Sequence, residues 1–180
     1  MTKNKPTVQD VARLAGVSGM TVSRALSKPE LVSQATRERI DLAVRELGYV
    51  PNLAASALVT RRSGVVGALI TTITNPILAT TIEILQQGLS KAGLHMLIGE
   101  TRFSPEEETQ MLRAFLGRQL DGLILAYGYH TPETHELLAA ARIPVVELWD
   151  LPEGDNPRQP VGQVVGFSNW QAGAAAGRHL

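Results

Sequence analysis

Residues 7–27, TVQDVARLAGVSGMTVSRALS, hold two short amphipathic patterns separated by a single glycine. Val8, Val11, Ala12 and Ala15 recur at the i, i+3, i+4, i+7 spacing of one helix face. Thr7 stands before them as an N-cap, and Asp10, three residues on, is placed to complete a capping pair. Ala15-Gly16-Val17 then breaks the pattern. Ser18 caps a second short helix that turns Val22, Ala25 and Leu26 inward, and Lys28-Pro29-Glu30 ends it. After a loop, Ser33 caps a longer helix whose stripe is Ile40, Ala43, Val44 and Leu47, with Gly48 at the position of a C-terminal glycine cap. Two short helices around a tight glycine turn, with a third behind them, make a helix-turn-helix unit.

That geometry carries chemistry. The second helix of such a unit lies in the major groove of duplex DNA, with its N-terminal residues toward base edges and hydroxyl side chains toward phosphates. With Val22, Ala25 and Leu26 in the core, Gly19, Met20, Thr21, Ser23 and Arg24 face outward. Arg24 is the natural base reader, because a guanidinium bridges guanine O6 and N7. Met20 offers apolar contact, for example to a thymine methyl, and Gly19 offers no side chain. Thr7, Ser18, Thr21 and Ser23 supply the hydroxyls of the DNA-facing set. The same three helices would also serve a small structural bundle with a solvated Arg24.

Charge separates the two readings. The 180-residue chain holds 17 basic and 17 acidic side chains, yet ten of the basic and only five of the acidic ones lie in residues 1–62. A basic head joined to an acidic remainder is the pattern of a nucleic-acid module attached to another domain. A chain 44% hydrophobic and 19% charged has material for a buried core. Without cysteine there is no disulfide framework and no thiolate metal site. The opening residues carry no apolar leader and no stretch approaches a membrane span, so the expectation is a cytoplasmic, nucleoid-associated protein with no membrane partner.

The run VQDVARLAGVSGMTVSRALSKPELVSQATRERIDLAVRELGYVPNLAASAL (8–58) closely resembles the N-terminus of the lactose-repressor (LacI) family of bacterial transcription regulators. The match lies in the DVA opening, the AGVS turn, the TVSR core, the VS-x-x-TRE-R-I start of helix three and the LGYVPN exit. The resemblance places the two residues that open the recognition helix at Gly19 and Met20 and the basic reader at Arg24. Gly19 departs from the larger side chains often found there.

Tyr49-Val50-Pro51-Asn52 leads into LAASALVTRRSG. Asn52 caps a helix over residues 53–58 that is too short to be stable alone. In the family the corresponding hinge helices of two subunits pair in the minor groove and wedge a leucine between base steps. The matching wedge is Leu58, with Ala55 at the close approach; the other reading of Leu58 is burial against the next domain. Arg61 and Arg62 either contact phosphate or begin the linker.

From Gly64 the pattern changes to alternating strands and helices. VVGALI (65–70) is a continuous apolar run, as a strand covered on both faces requires. Asn75-Pro76 starts a helix with Leu78, Ile82, Leu85, Leu89 and Ala92 on one face, ended by Gly93. HMLIG (95–99) is the next strand. Ser104-Pro105-Glu106-Glu107 is a capping box that opens a helix over Met111, Leu112, Phe115 and Leu116. DGLILAY, a helix from Thr131-Pro132, PVVEL, VGQVVGF and the opening of one more helix complete an open, largely parallel sheet with helices on both faces. Ligands of such sheets bind at the carboxyl ends of the strands.

This half resembles the family's effector domain, of periplasmic sugar-binding fold, through TNP after the first strand, DGLIL on the third and IPVVEL on the fourth. LILAYGYHTPET and IPVVELWD are similar to the gluconate-utilisation repressors in particular. The implied fold is therefore an all-α helix-turn-helix head plus the N-terminal subdomain of an α/β periplasmic-binding-protein-like effector domain. Its implied pocket residues are Asn75, Ile77 and Leu78 after the first strand, with Tyr127 and Trp149 after the third and fourth. Rings beside polar groups suit a sugar or sugar acid, although Tyr127 and Trp149 would equally serve as packing residues.

The expected division is a DNA-binding domain over 1–50, a hinge and linker over 51–63 and a partial effector domain over 64–180. The family's effector domain has two subdomains and this chain holds material for one, so it reads as truncated, with weak or absent effector binding and weak dimerisation. The expected activity is that of a DNA-binding repressor of carbohydrate or sugar-acid metabolism, working as a homodimer on double-stranded operator DNA, with no cofactor. The alternative is a stand-alone sugar-binding protein, which would want an export signal and no basic head. An enzyme finds no support: no phosphate-binding glycine loop or nucleophile elbow occurs. His130 and His135 are five apart, on different faces of a helix, so they lack metal spacing. Glu106, Glu107 and Glu108 read as charges at a helix N-terminus rather than as catalytic carboxylates.

Overall fold

The computed structural model describes residues 5–51, 62–126, 128–154 and 159–180. The chain divides into two compact units, residues 1–55 and 56–180.

In the first unit α1 spans Val8–Ala15, α2 Gly19–Ser27 and α3 Gln34–Leu47, with a 3-10 turn at Pro29–Leu31 between the last two. The turn between α1 and α2 is built on Gly16, whose φ of 64° belongs to the left-handed region. There it stacks its N–H under the last carbonyls of α1, as a glycine cap does. Val11, Ala12 and Ala15 of α1, Val22 of α2, and Ile40 and Ala43 of α3 are buried together, with Ala25, Val44 and Leu47 packed at the margin. Leu26 does not join them: it is 37% exposed. Val22 and Ala25 fill the contact with α1 and α3, and Leu26 falls in the last turn beyond it. Ser33 is the N-cap of α3 by position only, since its hydroxyl donates to Thr36 Oγ1 at 2.9 Å rather than accepting a backbone N–H.

In the second unit β1 (Val65–Ile70), β2 (His95–Glu100), β3 (Gly122–Ala126), β4 (Val145–Asp150) and β5 (Gln163–Phe167) form one sheet in the order β2-β1-β3-β4-β5, every pairing parallel. Helices α4 (Pro76–Lys91), α5 (Pro105–Leu116) and α6 (Pro132–Ala141) follow the first three strands, and α7 (Asn169–His179) follows the fifth. Side chains alternate across a strand, and the two faces separate accordingly. Leu69, Leu123, Leu125 and Val145 meet Leu112 and Phe115 of α5 and Leu138 of α6. Val66, Ala68 and Ile124 face the other way, toward Leu85 and Leu89 of α4. The expected face of α4 is thinner than its spacing implied: Leu78 is buried, Ile82, Leu85 and Leu89 are half-buried, and Ala92 is exposed at the C-cap. Among the described residues, Leu85 and Leu89 of α4 are the helix side chains packed against Val66, Ala68 and Ile124 on that side. β5, at the sheet edge, is largely exposed.

The entry to β1 is fixed by a side chain far along the chain. Asp121 accepts hydrogen bonds from the Ser63 N–H at 2.7 Å, the Ser63 hydroxyl at 3.1 Å and the Gly64 N–H at 3.0 Å. Among the described residues no helix is long and apolar enough to cross a membrane.

Candidate nucleic-acid interface

The first turn of α1 is closed from both sides. Thr7 Oγ1 accepts the Asp10 N–H at 3.3 Å, while Asp10 Oδ2 accepts the Thr7 N–H at 2.9 Å and the Thr7 hydroxyl at 2.7 Å. The Thr7 hydroxyl and backbone, with Arg13 at 3.2 Å, hold the Asp10 carboxyl below its usual value of 3.8. At α2 the Ser18 hydroxyl accepts the Thr21 N–H at 3.1 Å and lies 2.9 Å from the Thr21 hydroxyl. The two caps orient the hydroxyls of Thr7, Ser18 and Thr21 at the starts of the two helices. A capping oxygen keeps a second lone pair for another donor, and a hydroxyl can still turn its hydrogen toward an acceptor such as phosphate.

Val22, at 0% exposure, rotates α2 so that Met20, 73% exposed, and Ser23 and Arg24, also exposed, share the outer face. Arg24 makes no ion pair among the described residues. Gly19 is where sequence reasoning fell short. A Cβ built there would lie 2.9 Å from the Gln9 amide nitrogen, so the Gln9 side chain of α1 occupies the space a larger residue 19 would take. Gln9 therefore belongs to this face, and its position on a polar stretch of α1 gave no sign of it. Asn52, Ala55 and Leu58, with Arg61, lie outside the described residues.

In the second unit the sheet is parallel, so all strands end at one edge. Asn75, exposed, caps α4 there by accepting the Ile77 N–H at 2.9 Å, and Ile77 is 61% exposed. Leu78 instead points into the core. Trp149, near the end of β4, holds φ at 88°, and its ring meets Phe167 edge-on at 6.3 Å. A bulky residue adopts such a φ at a cost of about 1–3 kcal/mol. Its indole N–H is buried without a hydrogen-bond acceptor among the described residues. Tyr127 lies outside the described residues.

Glu108 stands in the first turn of α5, as its place in the sequence implied, but it is buried, with its Oε1 2.7 Å from His130 Nδ1. His130 and His135 are not two positions on one helix. His130 precedes α6 and folds back, so that the two rings meet edge-on with centroids 5.9 Å apart.

A family model described as bacterial regulatory proteins, lacI family, matches residues 7–52. The chain is 38% identical over 172 residues to the HTH-type transcriptional regulator GntR of Escherichia coli strain K12, an alignment covering 96% of this chain and 50% of that protein. Among solved structures, a LacI-family transcriptional regulator from Silicibacter pomeroyi superposes with a TM-score of 0.83 at 37% identity, over 96% of this chain and 50% of that one. The lac repressor dimer bound to operator and an anti-inducer superposes with a TM-score of 0.67 at 26% identity, over 81% and 44%. The chain spans about half the length of the curated relatives it matches.

Proposed function

The chain belongs to the LacI family of bacterial regulatory proteins, and from that premise we propose that it is a sequence-specific, DNA-binding transcription regulator, a repressor of carbohydrate or sugar-acid metabolism. The observation that carries this reading is the outer face of α2. Its capped N-terminus, the exposed Met20, Ser23 and Arg24, and ten basic against five acidic groups in residues 1–62 are together what a major-groove reader needs. Thr7, Ser18, Thr21 and Ser23 contact phosphate and position the helix. Arg24 and Met20 read base edges, and Gly19 brings the backbone close. Asn52, Ala55 and Leu58 form the minor-groove hinge of a homodimer on a pseudo-palindromic operator, in the cytoplasm at the nucleoid. A gluconate-like effector is held at the carboxyl edge of the sheet by Asn75, Ile77, Tyr127 and Trp149, whereas Leu78 packs in the core. The reading contains no catalytic step, and the relatives it rests on are transcription regulators.

The test is DNA selection from a random pool, followed by binding of the selected and a scrambled duplex as salt is varied. Arg24→Ala costs about 1–3 kcal/mol on the selected site and little on scrambled DNA beyond one phosphate-sized salt effect. Leu58→Ala weakens the selected site and reduces its bend while sparing the scrambled duplex. Equal losses on both duplexes would overturn the assignment of base readout to α2.

A further inference from the structure

Gly19 opens α2, yet no turn requires it. Unlike Gly16 and Gly48, it does not hold φ in the left-handed region, so its backbone asks for no glycine. A glycine in a helix costs stability relative to alanine, because it loses more chain freedom on folding. What glycine supplies here is room. A Cβ at residue 19 would stand 2.9 Å from Gln9 Nε2, 3.3 Å from Gln9 Oε1 and 3.4 Å from Gln9 Cδ. The terminal amide of Gln9, reaching over from the first turn of α1, therefore lies where the side chain of a larger residue 19 would begin. Gly19 is half-buried and Gln9 is exposed.

The polar groups around that amide are already engaged. Asp10 accepts the Thr7 N–H and hydroxyl and pairs with Arg13, while Ser18 and Thr21 together cap the start of α2. The Gln9 amide makes no hydrogen bond among the described residues, so its two N–H donors and its carbonyl oxygen stay open. A donor and an acceptor side by side match the major-groove edge of adenine, where N7 accepts and the N6 amino group donates. The first helix of a helix-turn-helix unit ordinarily crosses the sugar-phosphate backbone. The space left at residue 19 is what lets a side chain of α1 reach past it toward the bases. We propose that Gln9 is a specificity-determining residue, whose amide reads an adenine from the place Gly19 vacates, so that one base of each half-site is read from α1 rather than from α2. This rests on the DNA-reading role proposed above for the outer face of α2.

Selection from a random duplex pool is run with the full chain and with its Gln9→Ala variant. The unaltered chain should enrich an adenine that the variant no longer enriches, at one position of each half-site, with the rest of the site unchanged. On duplexes differing at that position alone, the unaltered chain should prefer adenine by about tenfold, and Gln9→Ala should hold the four bases within about twofold of one another. Gln9→Glu accepts but does not donate, so it should move the preference from adenine toward cytosine, whose N4 donates. Gly19→Leu fills the space the amide uses and should abolish the adenine preference by itself. Adding Gln9→Ala to it should then change affinity by less than about twofold, whereas independent effects would add. Gln9 is exposed, so helix circular dichroism should be the same in both Gln9 variants and the unaltered chain. If Gly19→Leu does not fold, the two Gln9 variants decide alone. An adenine preference that survives Gln9→Ala, or an equal loss on all four bases and on a scrambled duplex, as a phosphate contact would give, overturns the proposal and leaves the regulator reading standing. Enrichment of no sequence by the unaltered chain overturns both.

Discussion

Thr7 and Asp10 each satisfy a donor that the other would leave orphaned, and the consequence reaches past helix stability. The reciprocal bonds hold the carboxylate in its ionised form, so the stabilisation from Asp10 is present above the ordinary carboxylate value and is lost as pH falls through its depressed one. Thr7→Ala removes the cap and should lower the stability of the first unit by about 1 kcal/mol, read from urea unfolding followed by helix circular dichroism. A loss confined to DNA affinity, with unfolding unchanged, would mean that Thr7 acts on phosphate alone. Asp121 is the corresponding residue of the sheet. Asn at this position keeps one acceptor oxygen and turns an amide NH₂ toward an N–H or hydroxyl of Ser63 or Gly64 that the carboxylate had accepted. Asp121→Asn should therefore cost about 1.5–3 kcal/mol, measurable in the same unfolding experiment.

At the scale of elements, α5 shows how glycine sets an approach distance. Phe115 rests on the sheet where β1 and β2 run side by side. A Cβ at Gly67 would stand 2.6 Å from Leu120 Cδ1 and 2.9 Å from Phe115 Cδ2, and one at Gly99 would stand 2.9 Å from both Leu69 Cδ2 and Met111 Sδ. Both glycines lie in strands with ordinary extended backbone, so their role is space. Gly67→Ala should overpack this contact by about 1–3 kcal/mol and lower the melting temperature of the second unit. An unchanged or raised melting temperature would show that α5 can lift off the sheet without cost. The helix spacing of α5 was legible in Leu112, Phe115 and Leu116, but the reason for Gly67 inside an apolar strand was not, because its partners come from another element.

For the whole molecule, the two units keep separate cores: Val11, Val22 and Ile40 in one, Leu69, Leu112 and Leu125 in the other. Leu125→Ala leaves a cavity at a site with 0% exposure and should cost the second unit about 2–5 kcal/mol. Hydrogen exchange resolves the two cores, and protection at Val22 and Ile40 should stay the same; a parallel loss there would show that the units unfold as one.

Local chemistry determined most of what the first 51 residues become. Thr7, Ser18 and Gly16 are start and stop signals whose partners lie within five residues, so the two short helices, their turn and the outward face of α2 could be read from spacing. The continuous apolar run of β1 likewise pointed to a strand covered on both faces. What only the tertiary structure decided involves residues distant in the chain. Leu26 has helical spacing that points inward, but the core is closed before it. Glu108 and His130 are 22 residues apart, and nothing in their local spacing shows that α5 and the β3–α6 loop bury them side by side. Only the fold that brings α5 and the β3–α6 loop together removes their water and sets Glu108 Oε1 2.7 Å from His130 Nδ1.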